Sequence, residues 1–157
     1  MPKKIQLEET MRKDPMDRQQ RSAQMAKVRS IGNKSTEAAV ESALKEADLR
    51  DWEKHPQNIL GKPDFFFPHY KLVIFVNGCF WHCCPICKRP VPSSEYWKNK
   101  IDGNRRRDNR IHKKLRQEGY HVMRIWEHEL KDQFWLKRLD VMFKRIDKKT
   151  YQLLTDR

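Results

Sequence analysis

Asp64-Phe65-Phe66-Phe67-Pro68-His69-Tyr70-Lys71-Leu72-Val73-Ile74-Phe75-Val76-Asn77-Gly78 is the stretch that decides the fold. Asp64–Phe67 predicts a strand and Pro68–Lys71 a turn. Leu72–Val76 predicts a buried strand, because β-branched and aromatic side chains run there without a polar break. Asn77-Gly78 ends it. Towards the N-terminus, Gly61-Lys62-Pro63 and His55-Pro56-Gln57-Asn58 are turn chemistry. Before them Val40, Ala43, Leu44 and Ala47 recur at helical spacing behind a cap at Ser35 or Thr36. Towards the C-terminus, a cysteine- and proline-rich loop fills Cys79–Pro92. Ser93 or Ser94 then caps a long helix to about Glu118, closed by Gly119. His121–Trp126 reads as another strand. A last amphipathic helix carries Phe134, Leu136, Leu139, Met142, Phe143 and Ile146. Helix, strands, long helix, strand, helix is the order of a small α/β domain with helices flanking one sheet. The strand order cannot be read.

Three segments follow from this pattern. Residues 1–20 are polar and aperiodic and read as a flexible basic arm, residues 21–150 as a single domain, and 151–157 as a tail. The chain has 157 residues, enough for one domain with a real core. Its 34 Lys+Arg against 21 Asp+Glu give a formal charge of +13. So large an excess points to a polyanion, nucleic acid first, because basic side chains displace condensed counterions from phosphates. No apolar run is long enough to span a membrane, and no charged-then-apolar leader opens the chain. A cytoplasmic, nucleoid-associated protein is expected, and a monomer.

All four cysteines lie between Cys79 and Cys87, in Cys79-Phe80-Trp81-His82-Cys83-Cys84-Pro85-Ile86-Cys87. Without an export signal, a metal site explains them better than disulfides. Cys84 and Cys87 have the spacing that wraps a short loop around one tetrahedral ion, and Cys79 can add a third thiolate. Cys83 or a distant residue must supply the fourth ligand. His82 is either a zinc ligand or a free acid/base.

Several polar residues fall on apolar faces. Trp97, Ile101, Ile111 and Leu115 share one side of the long helix, and its spacing puts Asn104 and Asp108 there too. A carboxylate facing a core requires a partner, whether structural or functional. The other sides of that helix are crowded with cations, Arg105 and Arg107 among them. Glu37 points to the core side of its helix, although a first-turn Glu also has the helix dipole to explain it. Asp64, at a strand end after Pro63, can hold a divalent ion for phosphodiester cleavage, although Pro-Asp most often marks a turn.

Taken together these residues resemble the very short patch repair (Vsr) endonuclease family. The motifs are Arg21-Ser22-x-x-Met25, Lys34-Ser35-Thr36-Glu37, Gly61-Lys62-Pro63-Asp64-Phe65 and Asn77-Gly78-Cys79-Phe80-Trp81-His82. They continue as Tyr96-Trp97, Asn104-Arg105-Arg106-Arg107-Asp108 and Ile125-Trp126-Glu127-His128-Glu129-Leu130. The resemblance implies a restriction-endonuclease-like fold with a central mixed β-sheet. It implies a nick in one strand, 5′ of the T in a T:G mismatch left by deamination of 5-methylcytosine. It further implies magnesium on Asp64 and the Val76 backbone carbonyl, with His82 in proton transfer and Glu37 and Asp108 orienting the reacting groups. Phe80, Trp81 and Trp97 would wedge into the duplex, helped by DNA contacts from Asn104, Arg105 and Arg107. Zinc would be structural, on Cys79, Cys84, Cys87 and His128.

This sequence departs from the resemblance in two places. Val76-Asn77 stands where Thr-His is common, and His128 where Cys is common. A mismatch-repair matchmaker protein is a candidate partner besides double-stranded DNA carrying the T:G mismatch. Two rivals remain open, a restriction-type nuclease of the same fold and a zinc DNA-binding module without catalysis. The module leaves Asp64, His82 and Asp108 together unexplained.

Overall fold

A computed structural model describes residues 35–88, 90 and 95–155, with side chains through residue 148. The basic arm, the Arg21-Ser22-x-x-Met25 motif, Lys34 and the Ser93 or Ser94 cap lie outside the described residues. Helix α1 covers residues 35–46. It is followed by strands β1 (Glu53–Lys54), β2 (Phe65–Phe67) and β3 (Leu72–Asn77), helix α2 (Glu95–Gln117) and strand β4 (His121–Trp126). A 3-10 turn, Glu127–Leu130, leads into helix α3, Phe134–Thr155, which runs beyond residue 150. The sheet is mixed and has the order β1-β2-β3-β4. The β1–β2 and β2–β3 pairs are antiparallel, and β3–β4 is parallel with Leu72 opposite His121 and Asn77 opposite Trp126.

The alternation of side chains along β3 divides the core between the two faces of the sheet. Leu72 and Ile74 pack with Phe65, Phe67, Met123 and Ile125 against Val40, Ala43 and Leu44 of α1 and Trp135, Leu139 and Phe143 of α3. Val73 points to the other face, where it meets Leu115 of α2 and Ile59, with Phe75 and Ile111 beside them. Helices therefore cover both faces, and the long continuous apolar run of β3 follows from being buried twice. Three details correct the sequence reading. Ala47 is exposed, because α1 stops at residue 46. There Asp48 takes a left-handed φ of 55° and Leu49 N–H bonds the Leu44 carbonyl, a helix-ending arrangement that satisfies an orphan carbonyl. On α3 it is Trp135 that is fully buried, while Phe134 stands 55% exposed. Asn77 extends β3 by one residue and is buried at its C-terminal end.

Gly61 sets how closely the loop before β2 approaches α2. Its φ is +81°, and a Cβ there would lie 2.4 Å from Ile111 Cγ2. Only glycine supplies both the left-handed backbone and the clearance. The fully buried Pro63 follows, so Asp64 is delivered to the mouth of the sheet from a stiff, tightly packed approach.

Candidate active site and metal centre

Asp64 sits one residue before β2. Its N–H bonds the Ile74 carbonyl at 2.9 Å, extending the ladder, and its Oδ2 accepts the Val76 N–H at 2.6 Å. The carboxylate is thereby pinned to the end of β3. Glu37, in the first turns of α1, and His55, just after β1, converge on it. His55 Nε2 lies 3.0 Å from Glu37 Oε2. One ligand atom from each of Glu37, His55 and Asp64 lies within 4.8 Å of the others. Burial pushes the Asp64 carboxyl up to about 6, and the negative charge of Glu37 adds to that; the Val76 N–H, His55 and His82 pull the other way. Removing a carboxylate from water without a full counter-charge makes the proton, or a cation, the favoured companion.

Beyond β3 the chain turns sharply and presents the rest of the site. His82 N–H bonds the Gly78 carbonyl at 3.3 Å, and Asn104 Nδ2 from α2 donates to the Trp81 carbonyl at 3.2 Å. Asn104 is buried and anchors this turn from below. His82 Nδ1 is 2.5 Å from Asp108 Oδ2. Burial alone would raise the Asp108 carboxyl, but the bond to His82, the charge on that ring and Arg107 outweigh it and hold it below its ordinary value. A carboxylate so bonded fixes the ring orientation and leaves Nε2 for an exchangeable proton. Both polar residues expected on the apolar face of α2 are buried there, Asn104 at 9% and Asp108 at 8% exposure.

The turn also holds the sulfur cluster. Cys79, Cys84 and Cys87 converge with His128 so that one ligand atom of each lies within 4.8 Å of the others. Cys79 Sγ and Cys84 Sγ lie 3.2 and 3.6 Å from His128 Nδ1. Those separations suit neighbouring corners of a tetrahedron with bonds of about 2.0–2.3 Å. Cys83 stays outside the group, half-buried at a left-handed φ of 53°. Burial raises the Cys79 thiol, whereas backbone N–H groups of Cys87 and Ile86 outweigh burial at Cys84 and lower it. Three sulfurs and one imidazole nitrogen form a soft donor set that fits zinc.

Phe80 and Trp81 meet edge to face at 5.1 Å between ring centres, with Trp97 at 6.1 and 5.8 Å from them and Tyr96 at 5.5 Å from Trp97. Trp97 is only half-buried, so it belongs to this aromatic group and not to the core. On the cationic side of α2, Arg105 and Arg106 both pair with Asp102, and Arg107 lies 3.6 Å from Asp108.

A family model for the DNA mismatch endonuclease Vsr matches residues 13–88. The Type II nicking enzyme V.XorIIP of Xanthomonas oryzae pv. oryzae is 40% identical over 121 residues, covering 76% of this chain and 88% of that protein. The chain belongs to the Vsr family. The Type II nicking enzyme V.NaeI of Lentzea aerocolonigenes is 39% identical over 115 residues, 69% of this chain and 68% of that protein. The DNA mismatch endonuclease Vsr of Escherichia coli is 41% identical over 73 residues, 45% of this chain and 47% of that protein.

Two residues in and around the candidate site, His55 and His112, escaped the sequence reading, and Glu127 and Glu129 stood in it only as members of a motif. His55 looked like turn chemistry because Pro56 follows it. Glu127 Oε2 accepts the Cys79 N–H at 3.1 Å, tying the cluster to the end of β4. Glu129, buried, accepts the Trp126 N–H and pairs with Arg138 of α3 at 2.9 Å. His112 is buried on α2 with its ring 4.9 Å from that of Phe75. Position after a strand gave a weak signal for Glu127 and Glu129, and nothing local marked the two histidines. Among the described residues no helix is long and apolar enough to cross a membrane.

Proposed function

We propose that this chain is a DNA endonuclease that nicks one strand on the 5′ side of the T in a T:G mismatch, on a restriction-endonuclease-like fold. The observation that carries it is an Asp64 carboxylate within electrostatic reach of a hydrogen-bonded His82–Asp108 pair beside an aromatic cluster, in a chain whose relatives are named nicking enzymes and a mismatch endonuclease. The charge of +13 supplies the affinity for the phosphate backbone.

The oxygen donors of Asp64 and Glu37 fit a hard divalent cation, and the Val76 carbonyl is a further candidate. Magnesium held there would polarise the scissile phosphate and offset the charge developing on it. His82, fixed through Nδ1 by Asp108, moves a proton at Nε2 during hydrolysis. Glu37 keeps its carboxylate turned towards Asp64 and orients the attacking group. Phe80, Trp81 and Trp97 enter the stack where a mismatch has already lowered the cost of unstacking. Arg105 and Arg107 hold the backbone, while Asn104 supports the Trp81 carbonyl. Cys79, Cys84, Cys87 and His128 would hold a structural zinc, which would lock the turn carrying these residues to the end of β4.

Strand-labelled duplexes containing T:G, C:G or methylated C:G at one site test this reading. A single nick in the T strand of the T:G duplex is expected. Cleavage of both strands in fully paired DNA would overturn it in favour of a restriction nuclease, and binding without cleavage in favour of a DNA-binding module.

A further inference from the structure

We propose that His55 is a third side-chain donor to the catalytic cation, so that the site takes a divalent transition ion, with Mn2+ as the probe, in preference to Mg2+. This rests on the reading of Asp64 as a cation-binding carboxylate and goes beyond it by naming the donor that sets metal preference.

The geometry comes first. Donors on neighbouring corners of an octahedral ion with bonds of about 2.1 Å lie about 3 Å apart, and donors on opposite corners about 4.2 Å. His55 Nε2 and Glu37 Oε2 are separated by 3.0 Å, and all three ligand atoms fit within 4.8 Å. The three residues come from different elements, and two of them are tied in place by backbone hydrogen bonds. Asp64 is pinned by the Val76 N–H, and the His55 N–H bonds the Asp64 carbonyl at 3.1 Å. The backbone of His55 is held at a left-handed φ of 50°.

Charge points the same way. In a chain of net charge +13, Glu37 and Asp64 face each other, and among the described residues neither is paired with a lysine or arginine. An imidazole that ligates a metal does so in its neutral form, so it would add a donor to the two carboxylates without adding positive charge. His55 is 45% exposed at its side chain and Glu37 14% exposed, so the group opens to solvent on the His55 side and an ion can enter there. Imidazole nitrogen is a poor partner for Mg2+, which favours oxygen. It is a good one for ions further along the transition series, while the two carboxylates keep the site suited to Mn2+. The soft Cys79, Cys84, Cys87 and His128 set does not compete for Mn2+.

The test is Mn2+ binding by the full chain, followed by electron paramagnetic resonance of the free ion, with Mg2+ added as competitor. His55→Ala should weaken Mn2+ binding at least about tenfold and Mg2+ competition by less than about threefold, collapsing the preference. His55→Asn tolerates a left-handed backbone but is too short to replace Nε2, so it should behave the same way with an unchanged melting temperature. An unchanged Mn2+ affinity and Mn2+/Mg2+ ratio in both variants, with Asp64→Asn abolishing binding, would overturn the role of His55 alone. Mn2+ binding that survives Asp64→Asn would overturn the cation site itself and the proposal with it.

Discussion

The two candidate ion sites are neighbours built on opposite principles. The Cys79, Cys84, Cys87 and His128 group is soft, and three of its four members come from one short loop. The Glu37, His55 and Asp64 group is hard and open at His55, and it draws one residue each from α1, the loop after β1 and the edge of β2. Soft closed sets hold an ion that shapes the chain; hard open sets leave room for a substrate and for exchange. On the proposed reading, the soft site serves stability and the hard site chemistry. Glu127 Oε2 accepts the Cys79 N–H and so ties the first to the end of β4, and the turn from Gly78 to His82 carries both Cys79 and His82.

The sharpest way to break this division is Asp64→Asn. It should lower nicking by about a thousandfold or more, since a residue acting mainly in the transition state leaves binding intact. Zinc content should stay as in the wild type and the melting temperature should not fall, since the substitution removes a carboxylate whose burial costs stability at neutral pH; a joint loss of zinc and activity would merge the two sites. Next in size is His82→Ala, with Asp108→Asn beside it. Loss of a positioned proton carrier should cost roughly a hundredfold to ten-thousandfold in single-turnover nicking, with DNA affinity nearly unchanged. Wild-type rates in both variants would remove the pair from the mechanism.

On the soft side, His128→Ala should lose zinc and melt many degrees lower, because metal binding is coupled to folding. Cys83→Ser should keep both zinc and activity. Metal analysis showing zinc lost only from the Cys83 variant would reverse the ligand assignment.

Smaller effects come from pH, and the two faces of the site oppose each other. Burial drops His112 to about 4 from an ordinary 6.5, with Arg124 adding to the effect. The folded chain therefore binds fewer protons there than the unfolded chain. The stability this shift contributes is present above pH 6.5 and is lost as pH falls towards 4. Asp64 runs the other way. Its folded value of about 6 against 3.8 contributes stability present below pH 3.8 and lost as pH rises through 6. His112→Gln should therefore flatten the fall in melting temperature between pH 7 and pH 4, by on the order of 5 °C. A fall as steep as the wild type's would mean that His112 is not held neutral. Smallest of all, Arg105→Ala with Arg107→Ala should flatten the salt dependence of DNA binding by up to about one unit per lost phosphate contact. An unchanged slope would leave this face merely solvated.

How much was legible follows the same contrast. The soft cluster announced itself because Cys84 and Cys87 are close in sequence, and β4 was readable to the residue because His121–Trp126 is a short apolar run, broken only by Arg124, that ends in aromatic bulk. The burial of Asn104 and Asp108 followed from helical spacing alone. The hard site was only half legible. Asp64 and Glu37 were visible as carboxylates in odd places, but β1 is two exposed residues with no apolar signal. Without β1 nothing carries His55 to them. Phe134 and Trp135 show the limit of periodicity: either could head the apolar stripe of α3, and only packing against the sheet selects Trp135.

The division of labour is tested most directly by single-turnover nicking of the T:G duplex after dialysis that strips exchangeable ions but leaves zinc. No nick should form until Mg2+ or Mn2+ is added, and zinc should stay near one per chain throughout. Full nicking by the dialysed protein, with that single zinc as its only metal, would contradict the separation of a structural soft site from a catalytic hard one.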